Sequence, residues 1–516
     1  MALPDPAKDV LFSSPQDTTL VCFTAEDVKL FSAASHDRNP LHISETYARA
    51  TPYGEPVVFG MLGAMAALGQ LQDRDDRILQ RISIEFRNPL AMGVPYRLQV
   101  TESSIDQTLV KLYDAARLMA KVTFTLVPGH AGSTFSTYPQ AAPLVESADR
   151  KRKDFVLGEG TTGSYSPSNG PFQELVERWG LAGKGATASH LAAMLWASYL
   201  VGMELPGKRA IFWRATFDFT PDGGQSKNPF SYEVRIQDFD ERVDLLCTEG
   251  NFFSDGTLSA TAKMWAFLRQ DSPMSSLTQI TDLLPKSDLL RGKVALIIGG
   301  SRGLGAAITQ ALASQGCSVL VNYHQCRTEA EQLQTSLSER SDLIELVQGN
   351  AADVEWCRTL SQRILKRYGG LDMLVCNASP PIRPLPFLPD KLEQFQTFLA
   401  QSAALVSVPM ASFLEFLSER SGWNIVISSA FVTDLPEEWP HYVTAKCAVE
   451  GLAQWAAAHH PNIRNVIVRP PKLLTDQTNT TVGRQGAMRV EPVAVSLVKT
   501  LCGPQSALNM QILEGF

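Results

Sequence analysis

Residues 294–316 read VALIIGGSRGLGAAITQALASQG: an apolar run, a turn rich in glycine, then a helical pattern of small and apolar residues. Glycines let a chain turn tightly after a strand, and amides at the start of a helix can meet a pyrophosphate. Alone, such a cluster is equally a plain tight turn, so its surroundings decide. Downstream come SVLVNY (318–323), LIELVQGN (343–350), LDMLVCNAS (371–379), WNIVISS (423–429) and NVIVRPP (465–471). They are rich in β-branched residues and nearly continuous in apolarity, as parallel strands covered on both faces are. Helical patterns separate them, which predicts a doubly wound, Rossmann-type α/β domain over 291–516. The second of these strands ends without Asp or Glu, the residues that would hold ribose hydroxyls of NAD. Arg302, inside the glycine turn, either faces a 2′-phosphate or is a solvated loop cation. NADP(H) is therefore the expected cofactor.

Thirteen residues after Ser429, at the end of the fifth strand, stands Tyr442, with Lys446 four further on. On a helix this spacing puts both side chains on one face. The ammonium is expected to favour the phenolate and lower the tyrosine pKa, so that Tyr442 exchanges a proton with a carbonyl oxygen. A Tyr-x-x-x-Lys pair is common by chance; its place in this sheet gives it weight.

With these residues in view, positions 292–516 resemble the short-chain dehydrogenase/reductases of the β-ketoacyl reductase kind. The resemblance implies a nucleotide site of Gly299, Ser301, Arg302, Gly303, Leu304 and Gly305, with Asn322, Tyr323, Asn350, Asn377, Ala378 and Thr475 at later strand ends. It implies catalysis by Ser429, Tyr442 and Lys446, the last two also touching the cofactor. The family's fourth catalytic residue, an asparagine, falls on Gln401 by ungapped counting. The segment LLTDQTNTTVGRQG is short for a substrate lid, which suits a tethered acyl chain.

The N-terminal half reads differently. Residues 17–130 hold a helical pattern (FTAEDVKLFSAAS), a small-residue helix (GMLGAMAALG) and alternating strands such as RISIEFRNPL and MAKVTFTLV. A polar stretch, 131–170, reads as a linker. Residues 171–272 repeat helix then strands, with ATASHLAAMLWASYLVG followed by RAIFWRATFDFTP, YEVRIQDF, VDLLCTEGNFF and LSATAKMWAFL. That repetition points to duplication of a helix wrapped by an antiparallel sheet. A further polar link, from SPMSSLTQ, runs to about residue 290.

Residues 37–42 read Asp-Arg-Asn-Pro-Leu-His. A carboxylate and an imidazole across a helix-stopping proline can converge on one water, activate it, or protonate a leaving hydroxyl. The bland alternative is a helix end with a solvated Asp and a capping His. The motif, with Gly54 to Leu62 after it, resembles the MaoC-like, (R)-specific enoyl-thioester hydratases. The resemblance implies a hotdog fold and makes Asp37 and His42 the catalytic pair, with Asn39 in support and the Gly60 amide as oxyanion hole. Phe59 stands where that family often has His, and His36 where Gly is usual. The second repeat is similar in its helix and strands but lacks the motif. Its His190 reads as a packed or capping residue, and this half is expected to be non-catalytic, completing a double hotdog and covering the acyl chain.

Bulk properties narrow the class. The 516 residues are 44% hydrophobic and 19% charged, with a net charge of −7. Acidity argues against nucleic acid or anionic membrane as partners. No apolar run is read as long enough to cross a membrane, and the first residues lack a signal-peptide core. The eight cysteines form no CxxC pair, which indicates reduced thiols, a cytoplasmic setting and no zinc site.

The two resemblances together imply a bifunctional enzyme. An NADPH-dependent β-ketoacyl-thioester reductase would feed a β-hydroxyacyl-thioester dehydratase, as in fatty-acid or polyketide biosynthesis. The substrate would be carried on CoA or an acyl carrier protein, and a homodimer or higher assembly is expected by resemblance. Two alternatives stay open: an enoyl-CoA hydratase and 3-hydroxyacyl-CoA dehydrogenase of β-oxidation, or a single-activity ketoreductase with a non-catalytic acyl-binding hotdog module.

Overall fold

The structure is a computed structural model that describes residues 19–73, 76–130, 138–220, 228–271, 273–503 and 509–516. The chain divides into two compact units, residues 1–48 with 56–270, and residues 49–55 with 271–516.

The first unit is built on a ten-stranded antiparallel sheet. Its strands are β1 (Thr19–Cys22), β2 (Arg77–Phe86), β3 (Pro95–Ser104), β4 (Gln107–Asp114), β5 (Arg117–Pro128), β6 (Gly160–Tyr165), β7 (Ala210–Phe219), β8 (Phe230–Asp240), β9 (Leu245–Ser254) and β10 (Thr257–Leu268). The order β1-β3-β4-β5-β2-β7-β10-β9-β8-β6 places one repeat on each side of a β2–β7 seam, paired from Arg81↔Asp218 to Glu85↔Arg214. Each half packs against its own apolar helix, Gly60–Leu68 in the first repeat and Ala188–Tyr199 in the second. Both helices are buried nearly all round, so neither shows the amphipathic stripe of a surface helix. Their side chains belong to a single core with the inward-facing residues of both half-sheets. This is the expected double hotdog, and the two repeats share one interior rather than forming separate domains.

Two expected boundaries move. The stretch taken as a linker, 131–170, supplies β6, which pairs with β8 from Gly160↔Arg235 to Tyr165↔Phe230. It was hidden because GTTGSY is polar, as an edge strand exposed on one face is allowed to be. The second link contains a helix, Leu277–Leu283, capped by Ser276. Residues 17, 18 and 272, at the expected domain limits, and 131–137 of the linker lie outside the described residues.

The second unit carries a seven-stranded parallel sheet of β11 (Val294–Ile298), β12 (Ser318–Tyr323), β13 (Ile344–Gln348), β14 (Met373–Cys376), β15 (Trp423–Ile427), β16 (Arg464–Val468) and β17 (Met510–Leu513). The order β13-β12-β11-β14-β15-β16-β17 is doubly wound, with the switch between β11 and β14. In β11, Ala295 and Ile297 enter the core on one face, and Val294, Leu296 and Ile298 the core on the other. That alternation explains why the run is apolar throughout.

One expectation from composition is corrected. The helical stretch Pro389–Glu419 is long and apolar enough, by length and composition, to cross a membrane, with a mean hydropathy of 1.5 over its most apolar window. Within the α/β unit, the Phe398, Val406, Met410, Phe413 and Leu417 side chains of this stretch are buried, a helical stripe that faces the core.

Candidate functional site

The first constellation sits where the first repeat's motif meets the second repeat's helix. The helix Ala25–Ser35 begins with a Thr24–Asp27 capping box and ends at His36, which adopts the left-handed conformation at φ 59°. That turn throws Asp37 into the interior, where its residue is 2% exposed. The Asp37 carboxylate accepts from the Asn39 amide at 3.0 Å and from Ser198 Oγ at 2.7 Å. Asn39 caps the short turn Pro40–Ile43, accepting from the Leu41 amide at 3.0 Å, while its Nδ2 donates to the Gly202 and Gly207 carbonyls, both at 3.1 Å. Gly202 lies in the single π-helical turn Leu200–Glu204 that ends the second central helix. Such turns turn backbone carbonyls away from the regular ladder, where side chains can reach them. A Cβ at Gly202 would stand 2.3 Å from the Asp37 carboxylate, so the close approach requires glycine.

His42 Nδ1 lies 2.7 Å from the Val57 carbonyl. A carbonyl only accepts, so Nδ1 carries the proton and Nε2 of the neutral ring is left as the acceptor. Phe59 stacks on the imidazole at 3.9 Å between ring centres. Loss of water around the ring pushes His42 down to about 4, helped by the Arg269 charge and opposed by the Val57 bond. Burial pushes Asp37 up to about 7, against the lowering effect of the Ser198 and Asn39 bonds. At neutral pH the motif therefore carries a neutral base and a carboxyl that still holds its proton part of the time, a combination suited to moving protons in opposite directions. Gly60 begins its helix, and a side chain there would press the Phe86 ring at 3.0 Å. His190 accepts from the Thr187 amide at 3.3 Å, stacks on Phe219 at 4.3 Å and is fully buried, the packed capping role expected of it.

The second constellation lies at the carboxyl ends of the parallel strands. Gly299 (φ 73°) and Gly303 (φ 56°) take backbone conformations that disfavour side chains. A Cβ on Gly305 would meet the Gly299 carbonyl at 2.2 Å and Asn377 Nδ2 at 2.7 Å. Asn377 Nδ2 donates to that same carbonyl at 2.8 Å, fixing the turn from the fourth strand. Ser301 and Leu304 are buried within the turn, Ala378 lies 3.0 Å from where a Gly299 Cβ would be, and Thr475 faces Gly303. The result is a cradle of bare backbone at the start of the twelve-residue helix Gly303–Ser314, shaped for a pyrophosphate.

Four of the expected nucleotide positions are engaged by the protein itself. Asn322 is 3% exposed and spends its side chain on the Gly299 amide and the Val347 and Gly349 carbonyls, bracing the turn from beneath. Asn350 accepts from the Ala352 amide at 3.0 Å, shaping its own turn. Arg302 forms an ion pair with Asp476 at 3.0 Å, so its guanidinium is already partnered. Tyr323 is buried at the end of β12 and hydrogen-bonded by Arg327.

Ser429, Tyr442 and Lys446 do converge. Ser429 Oγ accepts from the Phe431 amide at 3.2 Å and stands close enough to Tyr442 to act on its hydroxyl. Lys446 Nζ donates to the Ile427 carbonyl at 2.8 Å and lies 5.5 Å from the centre of the Tyr442 ring. Tyr442 is nevertheless pushed up to about 12, because burial outweighs the lowering effect of Ser429. Burial also brings Lys446 down to about 8. The expected lowering of the tyrosine by its neighbour is thus reversed: Lys446 gives its proton contact to Ile427, and Tyr442 stays a phenol.

Gln401 is exposed. Its helix buries Phe398, Val406, Met410, Phe413 and Leu417, spaced by three to eight residues, and position 401 falls outside that stripe. Ser402, one residue on and four from Phe398, has a buried hydroxyl without a partner. Sequence reading also missed a brace under the serine. Glu450, four residues from Lys446 on the same helix, accepts from Ser428 Oγ at 2.6 Å and from Arg469 at 2.9 and 2.8 Å. The i, i+4 spacing was the available signal.

Comparison with known proteins finds a different family along each half of the chain. Residues 293–485 match the short chain dehydrogenase family model, and residues 4–108 match that of the MaoC like domain. The hydroxynaphthalene reductase-like protein Arp2 of Metarhizium acridum is 27% identical over 201 residues, spanning 38% of this chain and 73% of that protein. The short-chain dehydrogenase/reductase FrzI of Cladobotryum sp is 29% identical over 203 residues, 36% of this chain and 73% of that one. A short chain dehydrogenase from Burkholderia cenocepacia J2315, solved in complex with NADP, is 28% identical, with 44% of this chain and 98% of that chain covered at a TM-score of 0.38.

Proposed function

We propose, for a chain that joins an N-terminal MaoC-like domain to a C-terminal short-chain dehydrogenase domain, that it reduces a 3-oxoacyl thioester with NADPH and dehydrates the 3-hydroxyacyl product. The observation that carries this reading is the pairing, in one chain, of a phenol donor site with a neutral-imidazole and protonated-carboxyl site. The two chemistries act on consecutive intermediates. The acyl group would ride on CoA or an acyl carrier protein.

NADP(H) is favoured because β12 ends in Asn322 and Tyr323 with no carboxylate to hold free ribose hydroxyls. The backbone cradle of Gly299, Gly303 and Gly305 would hold the pyrophosphate, and Arg302 would exchange Asp476 for a 2′-phosphate. The hydride for reduction comes from the nicotinamide when the dinucleotide is bound. Ser429 holds the ketone oxygen by hydrogen bond, and Tyr442, a phenol at neutral pH, gives that oxygen its proton. Lys446 keeps the Tyr442 ring in place and reaches the ribose.

In dehydration, the Gly60 amide at the helix start polarises the thioester oxygen. His42 Nε2 removes the α-proton, and the Asp37 carboxyl protonates the departing hydroxyl, so that water leaves with both protons accounted for. The test follows absorbance at 340 nm with acetoacetyl-CoA and NADPH, and the enoyl product by mass. Tyr442→Phe is expected to abolish NADPH oxidation and spare enoyl-thioester hydration, and Asp37→Asn the reverse. A single substitution that kills both activities, or a wild-type chain that turns over no thioester, would overturn the reading.

A further inference from the structure

The second repeat lacks the Asp-x-Asn-Pro-x-His motif, yet it supplies the groups that touch Asp37 most closely. Ser198, 4% exposed on the second central helix, donates to the Asp37 carboxylate at 2.7 Å across 161 residues of sequence. One turn later the helix widens into its π-helical turn, where the Gly202 carbonyl takes the Asn39 side chain and the bare Gly202 Cα makes room for the same carboxylate. A Ser, a Gly and a backbone carbonyl on successive turns thus grip both acidic-motif side chains. Nothing in the packing of that helix demands a hydroxyl at 198, since its neighbours Leu195, Trp196, Ala197 and Tyr199 are fully buried in the shared core.

We propose that Ser198 is a positioning residue of the Asp37 site, and that the second hotdog is a working part of this site. The inference rests on the dehydration reading of Asp37. Ser198 fixes the rotamer of the carboxyl so that its free lone pairs and proton point at the leaving oxygen, and it stabilises the anion left after proton transfer. The other titratable groups facing the carboxylate are Tyr165 of β6 and Tyr199 of the same helix. Burial holds both above their usual range, Tyr199 at about 12, so neither changes charge where Asp37 titrates. Glu204 lies beyond Tyr199 and is bonded by Tyr232 at 2.5 Å.

The experiment uses the full chain and Ser198→Ala, with crotonyl-CoA hydration, NADPH oxidation and a ¹³C-carboxyl aspartate NMR titration read on the same preparation. The Asp37 resonance is assigned by its loss in Asp37→Asn. Expected in S198A are a roughly ten-fold or larger fall in hydration kcat with KM little changed, an alkaline limb of activity moved to higher pH, and an Asp37 resonance titrating about one pH unit higher. Unchanged NADPH oxidation, and a melt at pH 5, where Asp37 keeps its proton in both proteins, that matches wild type, show that the variant is folded. If S198A keeps the wild-type kcat and the Asp37 titration does not move, Ser198 is only a packed helix residue and the proposal falls. If wild type hydrates nothing while the Asp37 titration still shifts in S198A, the dehydration reading falls and the Ser198 contact stands. A variant that loses NADPH oxidation as well has lost its fold. The NMR titration is then read on Ser198→Cys, and an Asp37 titration that stays at the wild-type pH in it overturns the proposal.

Discussion

Asp37→Asn is expected to make the protein more stable while removing one activity, and the gain should depend on pH. Asp37 is buried and titrates at about 7 in the folded chain, against 3.8 for the ordinary carboxyl. Its folded-state pKa is raised, so the folded state holds the proton while the unfolded chain releases it. Below about pH 4 both states are protonated and the burial carries no electrostatic penalty. As pH rises from 4 to 7 the penalty grows by about 1.4 kcal/mol per pH unit, reaching about 4 kcal/mol above pH 7. Asn removes that term and keeps the contacts: its carbonyl oxygen still accepts from the Asn39 amide, and its NH₂ can donate to Ser198 Oγ. The advantage of the variant should therefore widen by about 2–3 kcal/mol between pH 5 and pH 8. In a scan this is a difference of roughly 5–10 °C in the melting shift for a domain of 150–250 residues. Differential scanning calorimetry of both proteins at pH 5 and pH 8 measures it. An advantage that is the same at both pH values, or a variant less stable at pH 8, would refute the view that Asp37 is a strained, partly protonated acid.

Three further outcomes test other parts of the structure. Gln401→Ala should leave NADPH oxidation within about two-fold of wild type in a 340 nm assay, because the side chain is exposed and off the buried stripe of its helix. Glu450→Gln should lower NADPH oxidation about ten-fold and cost about 2–4 kcal/mol in urea unfolding, since it leaves Arg469 with Glu514 alone and frees Ser428 beside Ser429. Gly202→Ala, which drives a methyl into the Asp37 carboxylate, should cut hydration more than ten-fold while reduction and cofactor binding are unchanged.

The fold was legible wherever a long pattern repeats. VALII predicts a strand buried on both sides because nothing else keeps five apolar residues in a row next to a glycine turn, and the structure puts its alternate side chains into two different cores. The repeat of helix then strands predicts the double hotdog for the same reason. The polar edge strand Gly160–Tyr165 escaped because an edge needs little apolar surface. At the sites, the Tyr442–Lys446 spacing did put the ammonium beside the phenol ring, and the Asp37 motif did turn its carboxylate inward. What sequence spacing does not carry is which partner wins a contested contact. Arg302 was read as facing a 2′-phosphate or as a solvated cation, and neither reading names Asp476, 174 positions away, which pairs with its guanidinium. Lys446 was assigned to the phenol, yet the Ile427 carbonyl takes its ammonium. Ser198 gave no signal at all, because one hydroxyl in a helix of small residues is indistinguishable from packing until the fold brings it to Asp37.

The protonation states also bear on why the two chemistries share a chain. Dehydration as proposed needs His42 neutral and Asp37 protonated, and these conditions overlap between about pH 4 and pH 7. Below that window the imidazole binds a proton and loses its role as base; above it the carboxyl has no proton to give. Reduction needs only that Tyr442 remain a phenol, which burial secures up to about pH 12. The dehydration rate should therefore trace a bell with limbs near 4 and 7, while NADPH oxidation stays flat across the same range. The sense of the upper limb is diagnostic. Hydration runs back through the same transition state, and the overall equilibrium takes up no proton, so hydration should fall through pH 7 together with dehydration. Rates of both directions measured on one preparation, with reduction as the internal control, decide the matter. If both rates instead rise through pH 7, the active form carries no proton on Asp37, and the role of general acid assigned to it falls.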